Sequence, residues 1–209
     1  MNQMDYMIFS DASLGNNKRY PEKVCAYSVA VLNLATNKYT VLTEFLGERT
    51  INYGEMFGIY RGFQILNTVT KDQDRNVKVA VVSDSKVSIT TLSDYVYRWD
   101  KRDVIWKRTN GDPVKNQRLI QFIYDKFIDN PKFSIKFIHM NSHKSYDDVD
   151  YMIKRLGKHY HISLNRKTAE TFIDLNALVD KNATGMRKSK EPIEGCRKIK
   201  RKKDVTWIY

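Results

Sequence analysis

Apolar residues in this chain fall into runs of distinct period. Near the N-terminus, "YMIFS", "VCAYSVAVLNL" and "KYTVLTEFLG" are rich in β-branched and aromatic residues and are separated by polar turns such as "ATN". They predict three consecutive antiparallel strands. "NYGEMFGIYRGFQIL" then spaces Met56, Phe57, Tyr60, Phe63 and Ile65 at roughly helical intervals, which predicts an amphipathic helix. "VKVAVVS" is short and nearly continuous in apolar residues, as a strand buried on both faces would be. "SKVSITTLSDYVYRW" reads as one or two short helices. "QRLIQFIYDKFI" is helical, with Leu119, Ile120, Ile123 and Phe127 on one side. "FSIKFIHM" is a last strand, and "DVDYMIKRLGKHY" and "RKTAETFIDLNALVD" are two more helices. Beyond Asp180 the apolar pattern gives way to Lys and Arg. The expected class is α/β, a mixed sheet with helices on its faces.

Charge adds a second layer. The chain has 209 residues and a formal net charge of +12. Residues 181–209 hold ten Lys or Arg against three acids, a net of +7. Such an excess is the electrostatic footprint of a polyanion binder, nucleic acid above all. The two cysteines, Cys25 and Cys196, lack metal-ligand spacing and predict a reducing compartment. The N-terminus "MNQMDYMIF" lacks the charge and length of a secretory signal, and no apolar run is long enough to span a bilayer. A cytoplasmic protein without a membrane partner is expected, and the first strand lies so near Met1 that an upstream domain is not.

The acids carry the chemistry. Asp11 follows "YMIFS" and Asp84 follows "VKVAVVS", so two strands end alike in an acid. Neighbouring strands that end at one edge of an α/β sheet present those side chains to a common crevice. Glu55, preceded by Gly54, opens the helix between them, and Asp150 opens the helix after the last strand. Each also has a plainer reading. Asp11 suits a turn, and acids at a helix start favour the dipole on their own account. If the four converge, their mutual repulsion calls for hard divalent cations, Mg²⁺ or Mn²⁺. Two such ions can drive in-line displacement at phosphorus.

"FSDASLGN", "TINYGEMFGIYRGFQIL", "VVSDS", "WKRTNGDPVKN" and "IKFIHMNSH…VDYMIKRL" occur in that order over about residues 5–157. The pattern resembles the type 1 ribonucleases H. The resemblance implies a ribonuclease H-like five-stranded mixed sheet, three antiparallel strands followed by two parallel ones, flanked by helices. It implies metal-dependent endonucleolytic cleavage of the RNA strand of RNA–DNA hybrids, with two Mg²⁺ or Mn²⁺ ions per site. By motif, Asp11, Glu55, Asp84 and Asp150 match the metal-binding acids, with Asp147 and Asp148 as alternatives for the fourth. His143 matches the family's mobile catalytic histidine. Asn16 and Asn52 resemble readers of the minor groove, where 2′-hydroxyls mark RNA, and Thr50 resembles a phosphate ligand. Lys86 stands beside Asp84 where the family has Gln. Trp99, Trp106, Lys107, Arg108, Lys115 and Asn116 resemble the basic protrusion that grips the DNA strand, Trp106 and Arg108 foremost. Ala12 replaces a customary Gly, and Ile51 stands where a second Asn is usual.

The expected organisation is a catalytic domain at 1–160, a helix packed on it at 161–180, and a basic C-terminal extension at 181–209. The extension is expected to bind further nucleic acid or a replication protein. Two readings compete with hybrid cleavage: a DNA nuclease or resolvase on the same fold, and a non-catalytic nucleic-acid-binding module. "DPVKN" in its basic loop speaks against the first. Four acids beside phosphate speak against the second.

Overall fold

The computed structural model describes residues 4–17, 20, 22–99, 103–140 and 145–189. Three strands meander: β1 (Tyr6–Gly15), β2 (Val24–Asn33) and β3 (Lys38–Gly47). Helix α1 (Ile51–Val69) crosses to β4 (Val77–Ser83). From there α2 (Lys86–Thr90) runs through a π-turn at Thr91–Tyr95 into α3 (Val96–Arg98). Helix α4 (Gln117–Ile123), with its own π-turn at Tyr124–Ile128, leads to β5 (Phe133–His139). Helices α5 (Val149–Tyr160) and α6 (Arg166–Ser189) follow. The sheet order is β3-β2-β1-β4-β5, with β1–β2–β3 antiparallel and β1–β4–β5 parallel. This is the five-stranded mixed sheet expected. No helix among the described residues is long and apolar enough to cross a membrane.

Period-2 alternation divides the buried residues between the two faces. On one face Tyr6, Ile8, Tyr27, Val29, Val79 and Val81 pack against Met56, Ile59, Phe63 and Leu66 of α1. On the other, Met7, Phe9, Ala30, Leu32, Ala80, Val82 and Ile138 pack against α5 and α6. Helix α5 brings Val149, Met152 and Leu156, and α6 brings Ala169, Phe172 and Val179. Along β1 the odd-numbered side chains therefore face α5 and α6, and Asp11 and Ser13 continue that row.

Helix α1 lies unusually close to the sheet. A Cβ added at Gly54 would sit 2.4 Å from Cys25 Sγ, one at Gly58 2.3 Å from Ser10 Oγ, and one at Gly62 2.4 Å from Ile8 Cγ2. These glycines recur every four residues, so one bare stripe rests on β1 and β2. Adding a methyl group at any of them would lift the helix.

Two element boundaries differ from the sequence reading. β1 does not stop at Asp11. Its parallel pairing with β4 ends at Phe9–Val82, but antiparallel pairing with β2 continues to Gly15–Val24. Long-range ladder bonds override the turn preference of Ser13, Gly15 and their neighbours. α6 likewise runs through residues 181–189, a stretch the sequence reading assigned to the tail. Buried Asn182, Ala183 and Met186 show why: an inward face persists beneath the Lys and Arg.

Candidate active site

Where β1 and β4 part company, the sheet opens a gap. Asp11 projects from β1 just beyond the last β1–β4 pair, and Asp84 follows the last residue of β4. Glu55 enters from the first turns of α1, which the glycine stripe holds against the sheet. Its carboxylate joins the two strand ends: Ala12 N–H donates to Oε1 at 3.1 Å, and the Ser83 hydroxyl donates to Oε2 at 3.4 Å. Ligand oxygens of Asp11, Glu55 and Asp84 all lie within 4.8 Å of one another. Three acids drawn from distant parts of the chain thus form one cluster.

The electrostatics of the cluster are unfavourable without a cation. Asp11 and Glu55 are buried, 9% and 5% exposed. Burial first, then the charges of Asp84 and Asp180, pushes the Asp11 carboxyl up to about 7. Burial, then Asp11 and Asp84, pushes Glu55 well above the usual carboxylate range. Among the described residues no Lys or Arg is paired with either, and the opposing influences are backbone N–H and hydroxyl donors. Converging oxygen ligands with no internal counterion fit a hard divalent cation.

Asp150 stands apart from this cluster. Its side chain is 82% exposed and accepts from Arg166 Nη1 at 3.2 Å. Of the alternatives, Asp148 caps its own turn by accepting from Ser145 N–H at 3.0 Å, and Asp147 is exposed. His143 lies outside the described residues.

The expected substrate contacts fall into three places. Thr50 caps α1, its hydroxyl accepting from Tyr53 N–H at 3.3 Å, and Asn52 is exposed one residue into that helix. Thr50 and Asn116 line one shallow depression with Arg49 and Tyr53, so two expected contacts far apart in sequence share a surface. Lys86 is exposed at the start of α2, two residues from Asp84. Asn16 is exposed at the end of β1.

The protrusion is a small hairpin. Val114 N–H donates to Trp106 O and Arg108 N–H to Asp112 O, both at 2.8 Å, while Gly111 takes the tip with φ +86°. Lys107, Arg108 and Lys115 are exposed on it, and Arg108 pairs with Asp112 at 2.7 Å. Trp106 departs from expectation. It is 1% exposed, lies in the α1-side core, and stacks on Trp99 at 5.2 Å. The ring is thus packed at the root of the hairpin from which the cations project.

Sequence reasoning missed three contributors. Ser83 was passed over beside the acid that follows it. Gly58 and Gly62 were legible only as a four-residue repeat with Gly54. The α6 residues Asp180, Thr184 and Arg187 recur at i, i+4 and i+7, one helix face, but lie in or beside the stretch read as tail.

Among curated proteins, ribonuclease H of Tropheryma whipplei (strain Twist) is 28% identical over 92 residues, covering 44% of this chain and 54% of that protein. The chain thus spans about half the length of the curated relatives it matches. Two solved structures share the fold. The foamy viral protease–reverse transcriptase in complex with dsDNA is 15% identical, with TM-score 0.52 over 68% of this chain and 85% of that one. The same enzyme in complex with RNA/DNA hybrid is 14% identical, with TM-score 0.50 over 65% of this chain and 17% of that one. The RNase H family model matches residues 3–161, well over half the chain, around the strands, helix and acids described above, and the chain belongs to the RNase H family.

Proposed function

We propose that this protein is a metal-dependent endoribonuclease that cleaves the RNA strand of RNA–DNA hybrids. One observation carries the reading: three carboxylates from β1, α1 and the end of β4 share a gap in which ligand atoms lie within 4.8 Å of each other. Asp11, Glu55 and Asp84 would hold two Mg²⁺ or Mn²⁺ ions, and Asp150, at the start of α5, would complete the set on leaving its pair with Arg166. Divalent ions bound there supply an activated water and neutralise charge at the phosphorus. The chain's own residues do the rest. Glu55, fixed by Ala12 and Ser83, keeps the two strand ends in register. Thr50, Asn52, Asn16, Lys86 and Asn116 line the duplex path, and Lys107, Arg108 and Lys115 grip the DNA strand. His143 serves proton transfer or product release. Family membership and a neighbour solved with RNA/DNA hybrid support this assignment.

The test is cleavage of an end-labelled hybrid with Mg²⁺ or Mn²⁺ and with chelator. Cleavage confined to RNA, dependent on metal and abolished by Asp84→Asn, is expected. Cutting of double-stranded DNA at the same rate would assign a DNA nuclease instead. Tight hybrid binding without cleavage would assign a binding module.

A further inference from the structure

Helix α6, the last among the described residues, lies outside the family-matched span of residues 3–161, yet its final turns grip the active-site strand. Thr184 Oγ1 donates to Ser13 Oγ at 3.2 Å. Arg187 Nε donates to the same hydroxyl at 2.9 Å, and Arg187 Nη1 donates to the Asn16 carbonyl at 3.0 Å. In return the buried Asn17 side chain donates to the carbonyls of Arg187 and Lys188 at 2.6 and 3.1 Å. Those carbonyls belong to the helix's last turn, which lacks partners within the helix. A Cβ at Gly15 would fall 2.7 Å from Arg187 Nη1, so the guanidinium lies directly on the backbone.

The contacts are reciprocal and in register. Thr184 and Arg187 follow Asp180 at i+4 and i+7, on one helix face, while Ser13 and Asn16 follow Asp11 along β1. Helix and strand thus run side by side past the acid cluster, and the charge of Asp180 bears on Asp11. Arg187 has the right chemistry for such a grip, because its planar fork holds a hydroxyl and a carbonyl at once, which a Lys ammonium cannot do with the same geometry.

We propose that α6 is a built-in brace for the substrate-reading end of β1, with Arg187 as the positioning residue that holds Ser13–Asn17 so that the exposed Asn16 meets the hybrid. This rests on the hybrid-nuclease reading above. Arg187 acts through the Asn16 segment, so its loss weakens substrate binding and leaves the chemical step alone.

The experiment compares full-length Arg187→Ala, Arg187→Lys and Thr184→Val with the parent by hybrid-cleavage kinetics and by amide hydrogen exchange of residues 12–17. For Arg187→Ala the expected result is a KM for hybrid raised about tenfold or more, the equivalent of one charge-assisted hydrogen bond. The value of kcat should be unchanged, the melting temperature lowered by only a few degrees, and exchange faster in that segment. Arg187→Lys should recover part of the KM, and Thr184→Val should show a smaller change of the same kind. Unchanged exchange, faster exchange with unchanged KM, or a fall in kcat alone would each overturn the brace. If the parent protein cleaves no hybrid, the nuclease reading fails by itself. Exchange at residues 12–17 then still decides whether Arg187 holds the strand end.

Discussion

Replacing Asp11 by Asn tests the physical basis of the site without any substrate. In the metal-free chain burial, then the charges of Asp84 and Asp180, pushes the Asp11 carboxyl up to about 7 from an ordinary 3.8. A group whose pKa rises on folding holds its proton more tightly in the native state. Its ionisation therefore costs stability as pH climbs. Below about pH 4 both states are protonated and the penalty vanishes. Between there and about pH 7 it grows, and above that it is fully developed. The rise from 3.8 to about 7 corresponds to at most roughly 4 kcal/mol. At pH 5 the same linkage gives about 1.5 kcal/mol. Asn keeps the shape and removes the charge, so Asp11→Asn should be more stable than the parent, by up to these amounts. The assay is urea denaturation in chelator at pH 5 and pH 8, with the difference in unfolding free energy read at each. Saturating Mg²⁺ should then stabilise the parent by about 2.7 kcal/mol at a hundred times its dissociation constant, and the variant far less. A variant no more stable than the parent at pH 8, or a gain equal at both pH values, would refute the account of a repulsive, cation-seeking cluster.

Gly54→Ala should destabilise the fold by about 1–3 kcal/mol and depress cleavage, because the new methyl lies 2.4 Å from Cys25 Sγ and moves Glu55 with the helix. Adding Cys25→Ala should restore part of both in a double-mutant cycle, and strict additivity would count against the close approach. Trp106→Ala should cost about 3–5 kcal/mol in denaturant unfolding, as for a buried ring; a loss below about 1 kcal/mol accompanied by weakened hybrid binding would put the ring at the nucleic acid instead. Residues 190–209 contain seven Lys or Arg and three acids. Removing them should flatten the log–log salt dependence of hybrid binding by about 0.9 for each phosphate they had neutralised. An unchanged slope in fluorescence-anisotropy titrations would mean that the tail binds something other than the duplex.

The strands were the most legible part of the chain. "KYTVLTEFLG" and "VKVAVVS" coincide with β3 and β4, because period and β-branching reflect burial directly. The end of β1 was not legible. Ser13, Gly15 and Asn16 are turn formers locally, and only pairing with β2, across an intervening loop, keeps the first two extended. Matching acids at two strand ends, with Glu55 at the start of the helix between them, pointed to the crevice, and the family resemblance matched the same acids to metal ligands. The bridging bonds from Ala12 and Ser83 needed coordinates. Trp106 misled because it sits among cations in sequence. Neighbours along the chain say little about which way a ring turns once a hairpin folds over it. The brace was hidden for a related reason: in residues 181–189 Lys and Arg set the composition, while three buried side chains set the conformation.

Parity along β1 explains why the acids and the C-terminal helix meet at all. Side chains at 7, 9, 11 and 13 share the face covered by α5 and α6, so the row passes from Met7 and Phe9 in the core to Asp11 and Ser13 at the rim. Glu55 belongs to the helix on the opposite face. It reaches the cluster only because β4 has already diverged and the glycine stripe lets α1 come close. A site assembled in this way has two independent supports, one on each side of the sheet. Loosening α1 displaces a carboxylate and should strike the chemical step. Loosening α6 displaces the segment that carries Asn16 and should strike binding. If the proposed nuclease reading holds, the protein should therefore yield kcat defects from Gly54 and KM defects from Arg187, and that division follows from which face of one strand each helix covers.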